Sequence, residues 1–465
     1  MLRERWSLRG WSNTPFALAD RIAGLIYPLN AKEFYVAESC DGETDFNALA
    51  FLPEHLLILD ELVREGMVED LSEPDPIHPK QRYRKAHNPV IKGIDWSVTG
   101  HCNLNCRHCF MESPSGKFGE LPFEDMVSLI DQFVEANVLQ VAITGGEPFI
   151  REDILDILKV LADKRIWVSQ IYSNGLLVTP EHLRKIKELG LLPAIQISFD
   201  GVGKHDLMRG VEGIEAPTVE AIRMIRDEGF AVVVSTAVDR MSLDALPATY
   251  ALMKELGIVS WRVSVPQRTG NWRESVTALE LPEMVDVSES ILRSWNEDGR
   301  PFYIQLAGFY SGKPGAMSYE EEMAAQPTFS EDDYDCVACR EQANLLPDGT
   351  LMPCPGYVDT SIQDRMQNLL TDFPLSEVWR DSPLRDISNI RKKELLLHNA
   401  ECAECEWFRF CGIGCRAAAL SENGELLTKD SAACQLWKGG YKARIWKIMK
   451  AYAAGSEEAT RTAKI

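Results

Sequence analysis

Along the middle of the chain, short apolar runs rich in β-branched residues alternate with longer amphipathic segments. The runs are "IDWSVTG" (94–100), "VLQVAITGG" (138–146), "IWVSQIYSNG" (166–175), "AIQISFDG" (194–201), "AVVVSTAVD" (231–239) and "VSWRVSVP" (259–266). Between them lie "FEDMVSLIDQFVEA", "EDILDILKVLADK", "PEHLRKIKELG", "TVEAIRMIRDEG" and "ALPATYALMKELG", each with apolar residues at helical spacing. Strand and helix alternating in this way imply a parallel sheet, because parallel neighbours need a crossover helix. Six strands and five helices predict an α/β fold, a partial (β/α)6 TIM-like barrel over 93–310. Its ligands are expected at the carboxyl ends of the strands, where the polar and Gly-rich ends of these runs fall.

The pattern differs on either side. Residues 1–75 predict a small α+β module with a helix in "PEHLLILDELVREGMVED", where Leu56, Leu57, Leu59, Leu62 and Val63 fall at helical spacing before Gly66. Residues 76–92 read as a linker because prolines and charges resist regular structure. From 311 to 435 the periodicity fades and eight cysteines appear, so a metal staple is expected. A C-terminal helix and tail follow at 436–465.

Charge and length narrow the function. The chain has 70 acidic against 49 basic residues, a net charge of -21, which argues against nonspecific binding to nucleic acid or anionic lipid. No apolar stretch has the roughly 18 residues of a membrane span, and the N-terminus lacks a signal peptide's apolar run, so a cytoplasmic location is expected. Reduced thiols then point to metal rather than disulfides. Eleven of the 12 cysteines fall into two groups, and only Cys40 stands apart.

The first group, Cys102, Cys106 and Cys109 in "HCNLNCRHCF", follows the first barrel strand. A structural zinc site wants four protein ligands, and this loop supplies three. The second group is Cys336-x2-Cys339, Cys354, Cys402-x2-Cys405-x5-Cys411-x3-Cys415 and Cys434; by spacing alone it could serve zinc or iron-sulfur clusters.

The C-x3-C-x2-C loop, with "TGGEP" at the end of the next strand, resembles the radical SAM enzymes over about 93–310. That resemblance implies a [4Fe-4S] cluster on Cys102, Cys106 and Cys109, its fourth iron left for S-adenosylmethionine. Reductive cleavage of this cofactor would release a 5'-deoxyadenosyl radical that abstracts hydrogen. Gly145 and Gly146 would let the backbone approach the methionyl amine, Glu147 would accept a hydrogen bond from it, and Pro148 completes the motif. Asn174, Ser198 and Arg209 are the further candidates for cofactor contacts; Ser173 and Asp200 are equally explained as turn or capping residues. His101 and His108, which flank the thiols, read as packing or supporting residues.

The second group, with "GTLMPC", resembles the SPASM extension of radical SAM enzymes. The resemblance implies two auxiliary [4Fe-4S] clusters, one on Cys336, Cys339, Cys354 and Cys415 and the other on Cys402, Cys405, Cys411 and Cys434. With both ligand sets complete, an electron-transfer or structural role is favoured over substrate ligation. The N-terminal module is similar to the recognition element of enzymes that modify ribosomally made peptides (RiPPs), a winged-helix-like unit that binds a precursor's leader as an added strand.

Together these imply a peptide maturase forming an oxidative crosslink, thioether or carbon-carbon, with a precursor peptide and a flavodoxin- or ferredoxin-type electron donor as partners. Epimerisation is disfavoured because only Cys40, read as a buried small hydrophobe, is spare to donate a hydrogen atom. The alternatives are a sulfatase maturase, an enzyme of tetrapyrrole or quinone-cofactor biosynthesis, a noncatalytic iron-sulfur electron carrier, and a zinc-bound scaffold. The "VPQRTGNWRE" stretch is expected to hold substrate contacts.

Overall fold

The computed structural model describes residues 1–47, 51–266, 268–306, 308–312, 321, 324, 326–338, 340–380 and 382–462, with side chains to 452. The N-terminal module is a sheet of β1 (Trp6–Gly10), β2 (Ala17–Asp20), β3 (Leu25–Pro28) and β4 (Arg84–Lys85), in the order β3-β2-β1-β4, covered by α1 (Ala31–Ser39) and α2 (Pro53–Arg64). Asn30 caps α1 in a capping box with Glu33, and α2 ends at Gly66, whose φ of 69° suits glycine. The segment read as a linker supplies β4, which pairs in parallel with β1.

The spacing forms the expected helix, but most of its apolar stripe is left exposed. Only Leu62 of the five is buried, while Leu56, Leu57 and Val63 are 42%, 69% and 45% exposed. Two short helices and a four-stranded sheet offer too little surface to cover a whole helix face. Cys40 matches its expectation: it is buried in the module's core, donates to the Val36 carbonyl at 3.3 Å, and burial pushes its thiol up to about 12.

The main sheet contains the six predicted parallel strands, β5 (Gly93–Ser97), β6 (Gln140–Thr144), β7 (Trp167–Ser173), β8 (Ala194–Ser198), β9 (Val232–Ala237) and β10 (Ser260–Ser264). Four more extend it: β11 (Tyr303–Leu306), β12 (Tyr310–Gly312), β13 (Gln342–Leu345) and β14 (Leu351–Met352), giving the order β12-β11-β10-β9-β8-β7-β6-β5-β13-β14. The crossover helices are α3 (Phe123–Glu135), α4 (Ile154–Asp163), α5 (Pro180–Glu188), the short α6 (His205–Arg209) with α7 (Glu215–Asp227), α8 (Leu246–Leu256) and α9 (Leu281–Glu297). Alternation along the strands sorts the faces. Ile94, Trp96, Ile195, Ile197 and Trp261 are buried in the core, where Trp96 meets Phe133 of α3 edge to face, while Tyr172, Ser198, Arg262 and Gln305 line the cavity on the other side.

The boundary expected at 310 falls inside β12, and β13 of the cysteine-rich segment pairs in parallel with β5. That segment also has a core of its own kind, including Leu375, Val378, Leu384 and Ile387, continuous with the barrel core. Its helices are short, so their apolar residues show no long period. The N-terminal module is tied to the corner between α3 and β6: Trp11 Nε1 donates to Ala136 O at 3.1 Å, and the Asn137 amide donates to Gly10 O and Arg84 O at 3.1 and 2.9 Å.

The C-terminal helix Tyr441–Thr462 packs on α9, with Arg444 paired to Asp286 and Glu289 at 2.6 Å each. Beside it Lys442 is buried, donating to Phe309 O, and burial pushes it down to about 8 from 10.5. The unfolded chain therefore holds this proton more tightly than the folded one, so stability rises as pH climbs through 8 toward 10.5 and is lost as pH falls back. Lys442→Met is expected to flatten this ramp, seen as a smaller gain in Tm between pH 7 and 10; equal gains in both proteins would refute it. Among the described residues no helix is long and apolar enough to cross a membrane.

Candidate functional site

The loop after β5 carries Cys102, Cys106 and Cys109 and leans on α6 through Asn105 N to Arg209 O and Arg107 N to Met208 O, at 3.2 and 3.0 Å. Each thiol faces an N–H donor. Leu104 N reaches Cys102 Sγ at 3.4 Å, Ser113 N reaches Cys109 Sγ at 3.3 Å, and the Arg209 guanidinium reaches Cys106 Sγ at 3.6 Å. Donors of this kind stabilise the thiolate, the form that ligates metal.

Gly145 and Gly146 sit directly against this loop. A Cβ on Gly145 would lie 2.6 Å from Thr99 O, and one on Gly146 would lie 2.1 Å from His101 O. Gly146 N and Glu147 N donate to those same carbonyls at 2.7 and 2.9 Å. The glycine pair thus brings the end of β6 onto the cysteine loop, a close approach that no side chain would permit.

The three thiols, both glycines, Ser173, Asn174, Ser198 and Arg209 line one cavity of about 780 Å³ at the carboxyl ends of the strands. Asn174 Nδ2 donates to Asn103 Oδ1 at 2.7 Å, so the β7 end is also joined to the cysteine loop. Arg209 is held by Asp200, with Nε 2.7 Å and Nη2 2.9 Å from its two carboxylate oxygens, both residues buried. His108 is half-buried beside Asp200, and desolvation pushes it down to about 4. His101 packs against Gly116.

Glu147 lies behind the cavity wall. Its carboxylate is fully buried outside the cavity lining, accepting from Ser173 Oγ, Phe149 N and Asn174 N at 2.9, 3.2 and 2.7 Å. Burial raises it to about 7. With its oxygens turned to the ends of β6 and β7, it holds Ser173 and Asn174 in place. Pro148 is likewise buried, at the start of a 3-10 turn.

The sequence reading missed Tyr172, Ser235, Arg262 and Gln305, which line the same cavity. Their signal was the polar position in each strand, since Arg262 and Gln305 alternate with buried apolar neighbours. Of "VPQRTGNWRE", Val265, Pro266 and Thr269 reach the cavity, and Gln267 lies outside the described residues. Among the described residues the lining includes Arg209 and Arg262 and no Asp or Glu, in a chain of net charge -21.

In the C-terminal segment, Cys402, Cys405, Cys411 and Cys434 line a second cavity with Trp407 and Trp437. Cys336, Cys354 and Cys415 come within electrostatic reach of one another around Tyr357. Cys339 lies outside the described residues. Asp430 joins the two groups, accepting from Cys415 N and capping the helix Ser431–Lys438 that carries Cys434. Among the described residues no three His, Cys, Asp or Glu side chains are gathered closely enough for a single metal ion.

Residues 96–253 match the model of the Radical SAM superfamily. Among curated relatives, an AdoMet-dependent heme synthase of Nitratidesulfovibrio vulgaris is 27% identical, over 74% of this chain and 92% of the relative. A PqqA peptide cyclase of Gluconobacter oxydans is also 27% identical, over 72% and 87%. Among solved structures, Streptococcus suis SuiB bound to precursor peptide SuiA has a TM-score of 0.67 at 15% identity, covering 93% of this chain and 99% of that one. The thiols, N–H donors and glycine cradle fit a [4Fe-4S] cluster and S-adenosylmethionine, and residues 96–253 form a radical SAM domain.

Proposed function

We propose that this enzyme modifies a ribosomally made precursor peptide whose leader docks on the N-terminal module. The observation that carries this reading is the uncovered apolar surface of that module. β3 is the outer strand of its sheet, with Leu25 and Tyr27 46% and 39% exposed, and α2 presents Leu56, Leu57 and Val63 to solvent. An outer strand that exposes apolar side chains is the form that accepts an added peptide strand. The likeness to SuiB, solved with its precursor peptide, supports it, since that likeness spans 93% of the chain and so takes in the module.

Cys102, Cys106 and Cys109 hold the cluster that binds the cofactor, with the Gly145–Gly146 backbone, Asn174, Ser198 and Arg209 around S-adenosylmethionine. When bound, this cofactor supplies a 5'-deoxyadenosyl radical that takes hydrogen from the substrate. Tyr172, Arg262 and Gln305 form the wall left for the peptide, and Arg262 suits a carboxylate near the reacting residue. The product is an oxidative crosslink. Cys336, Cys339, Cys354 and Cys415 hold one auxiliary [4Fe-4S] cluster; Cys402, Cys405, Cys411 and Cys434 hold the other. A flavodoxin- or ferredoxin-type protein supplies the electron.

A second reading, modification of a tetrapyrrole, is favoured by the heme synthase relatives and by Arg262, because tetrapyrrole intermediates also carry carboxylates. One experiment separates the two. Protein purified without oxygen is assayed for 5'-deoxyadenosine release with a precursor peptide encoded beside it, and with a carboxylate-bearing tetrapyrrole. Stimulation by the peptide, with leader binding weakened at least about tenfold in Leu57→Glu, is expected, the loss being that of one buried apolar anchor. Stimulation by the tetrapyrrole alone would establish the second reading instead.

A further inference from the structure

A full (β/α)8 barrel packs its interior with branched apolar side chains. The interior here is polar instead. Its inward positions include Asp95 on β5, Gln170 and Tyr172 on β7, Gln196 on β8, Arg262 on β10 and Gln305 on β11, while the residues that alternate with them join the buried core. Gln170 Nε2 donates to Gln196 Oε1 and Arg262 Nε to Gln305 Oε1, both at 3.0 Å. Toward the amino ends of β5, β6 and β7, below the cofactor cavity, this polar interior ends in a lower cavity of about 210 Å³. Asp95, Gln140, Ser169 and Gln342 line it, with Lys92 and Glu341, which pair with each other at 2.7 Å. A polar cavity of that size holds several waters.

Asp95 stands where the two cavities approach each other. It lines the lower one, and Tyr172 and Arg262 of the upper one are within electrostatic reach of its carboxylate. Ala142 and Thr144, two residues apart on one face of β6, likewise line the lower and the upper cavity. Gln342 Nε2 donates to Asp95 Oδ2 at 2.8 Å, and among the described residues no donor reaches Oδ1. Asp95 is also the only Asp or Glu in strands β5–β11. Burial raises its carboxyl above the ordinary value, against the opposing pull of Gln342 and the Arg262 charge, which makes the carboxylate a better proton acceptor.

If the product is a peptide crosslink, as proposed above, the reaction has a proton to dispose of. One hydrogen atom leaves the first carbon with the 5'-deoxyadenosyl radical. Closing the new bond at that carbon breaks an S–H or C–H bond of its partner, the electron passing to an oxidised iron-sulfur cluster and the proton to a base. Among the described residues no Asp or Glu lines the upper cavity. His108 is set against Asp200 at the cysteine loop, and burial pushes the Tyr172 phenol up to about 12, so Tyr172 keeps its own proton at neutral pH. We infer that Asp95 accepts the proton released when the crosslink closes, through water beside Tyr172 and Arg262, and passes it to solvent by way of the lower cavity.

The test measures the ratio of crosslinked peptide to 5'-deoxyadenosine in single turnovers of the cluster-loaded full chain with the precursor peptide encoded beside it. Asp95→Asn keeps the size of the side chain and an acceptor for Gln342 but removes the base. It is expected to lower the ratio about a hundredfold, the low end for loss of a general base. Asp95→Glu, which restores a carboxylate, is expected to recover part of it. In the parent the ratio should fall as acid protonates Asp95, and in Asp95→Asn it should no longer follow pH, which separates Asp95 from Glu341 at the cavity mouth. An unchanged ratio in Asp95→Asn, equal losses in the Asn and Glu variants, or a parent ratio independent of pH would overturn the inference. The parent's profile decides the matter even where a variant folds poorly. A parent that releases 5'-deoxyadenosine but makes no crosslink would refute the peptide reading itself, and the inference with it.

Discussion

Replacing Asp335 by Ala is expected to loosen the cysteine-rich segment by about 3–5 kcal/mol, the range for stranding a buried charge. Asp335, Lys392 and Arg416 form a buried triad, each side chain no more than 2% exposed. Lys392 Nζ donates to Asp335 Oδ1 and to Gly412 O, and Arg416 Nε lies 3.1 Å from Asp335 Oδ2. Removing the one carboxylate strands two cations where water cannot reach them. Asp335 precedes Cys336 and Arg416 follows Cys415, so the triad also sets the spacing between these two thiols. The variant should therefore lose about four irons per chain, one cubane cluster, and lose hydrogen-exchange protection over 392–430. Exchange within about 1 kcal/mol of the parent, with iron unchanged, would show that the core alone holds this segment.

The joint replacement of Cys102, Cys106 and Cys109 by Ala is expected to abolish 5'-deoxyadenosine formation while leaving the fold intact. All three thiols line the cavity and none is fully buried, Cys109 packing only at the edge of the core, so no large void is opened. Iron should fall by about four per chain, and any iron held by the C-terminal cysteines should be unchanged. Cys40→Ala is the control: its thiol packs inside the N-terminal module, so cofactor cleavage and iron content should not change. Residual cleavage in the triple variant would mean that another set of thiols serves the cofactor.

The six barrel strands were legible because each combines a β-branched run with the period of two that puts one face against helices. The cysteine loop and the glycine pair were legible for a different reason: their chemistry is local, carried by spacing within one loop and one strand end. Glu147 shows where local reading stops. Its identity in the motif was plain, but its carboxylate turns to Ser173 and Asn174, 26 and 27 residues away, and only the packed strand ends show that. β13 is similar: a four-residue strand pairs with β5 across about 250 residues, and no periodicity records such a partner.

The exposed face of α2 and a cation-lined cleft between the N-terminal module and the barrel make the same point about burial and charge. Apolar spacing predicted the helix of α2 correctly but not whether anything covers it, since coverage depends on the area its neighbours present. Arg9, Arg21, Arg84 and Arg165 are ordinary surface arginines when read along the chain, and they converge only when β1, β2 and β4 dock on the turn after α4. The sequence by itself determined the strand and helix order, the thiol ligand types and the glycine cradle, because these follow from neighbouring residues and their stereochemistry. Tertiary structure decided where the Glu147 carboxylate turns, which apolar face stays open and where cations meet, because desolvation and Coulomb energy depend on distance through space.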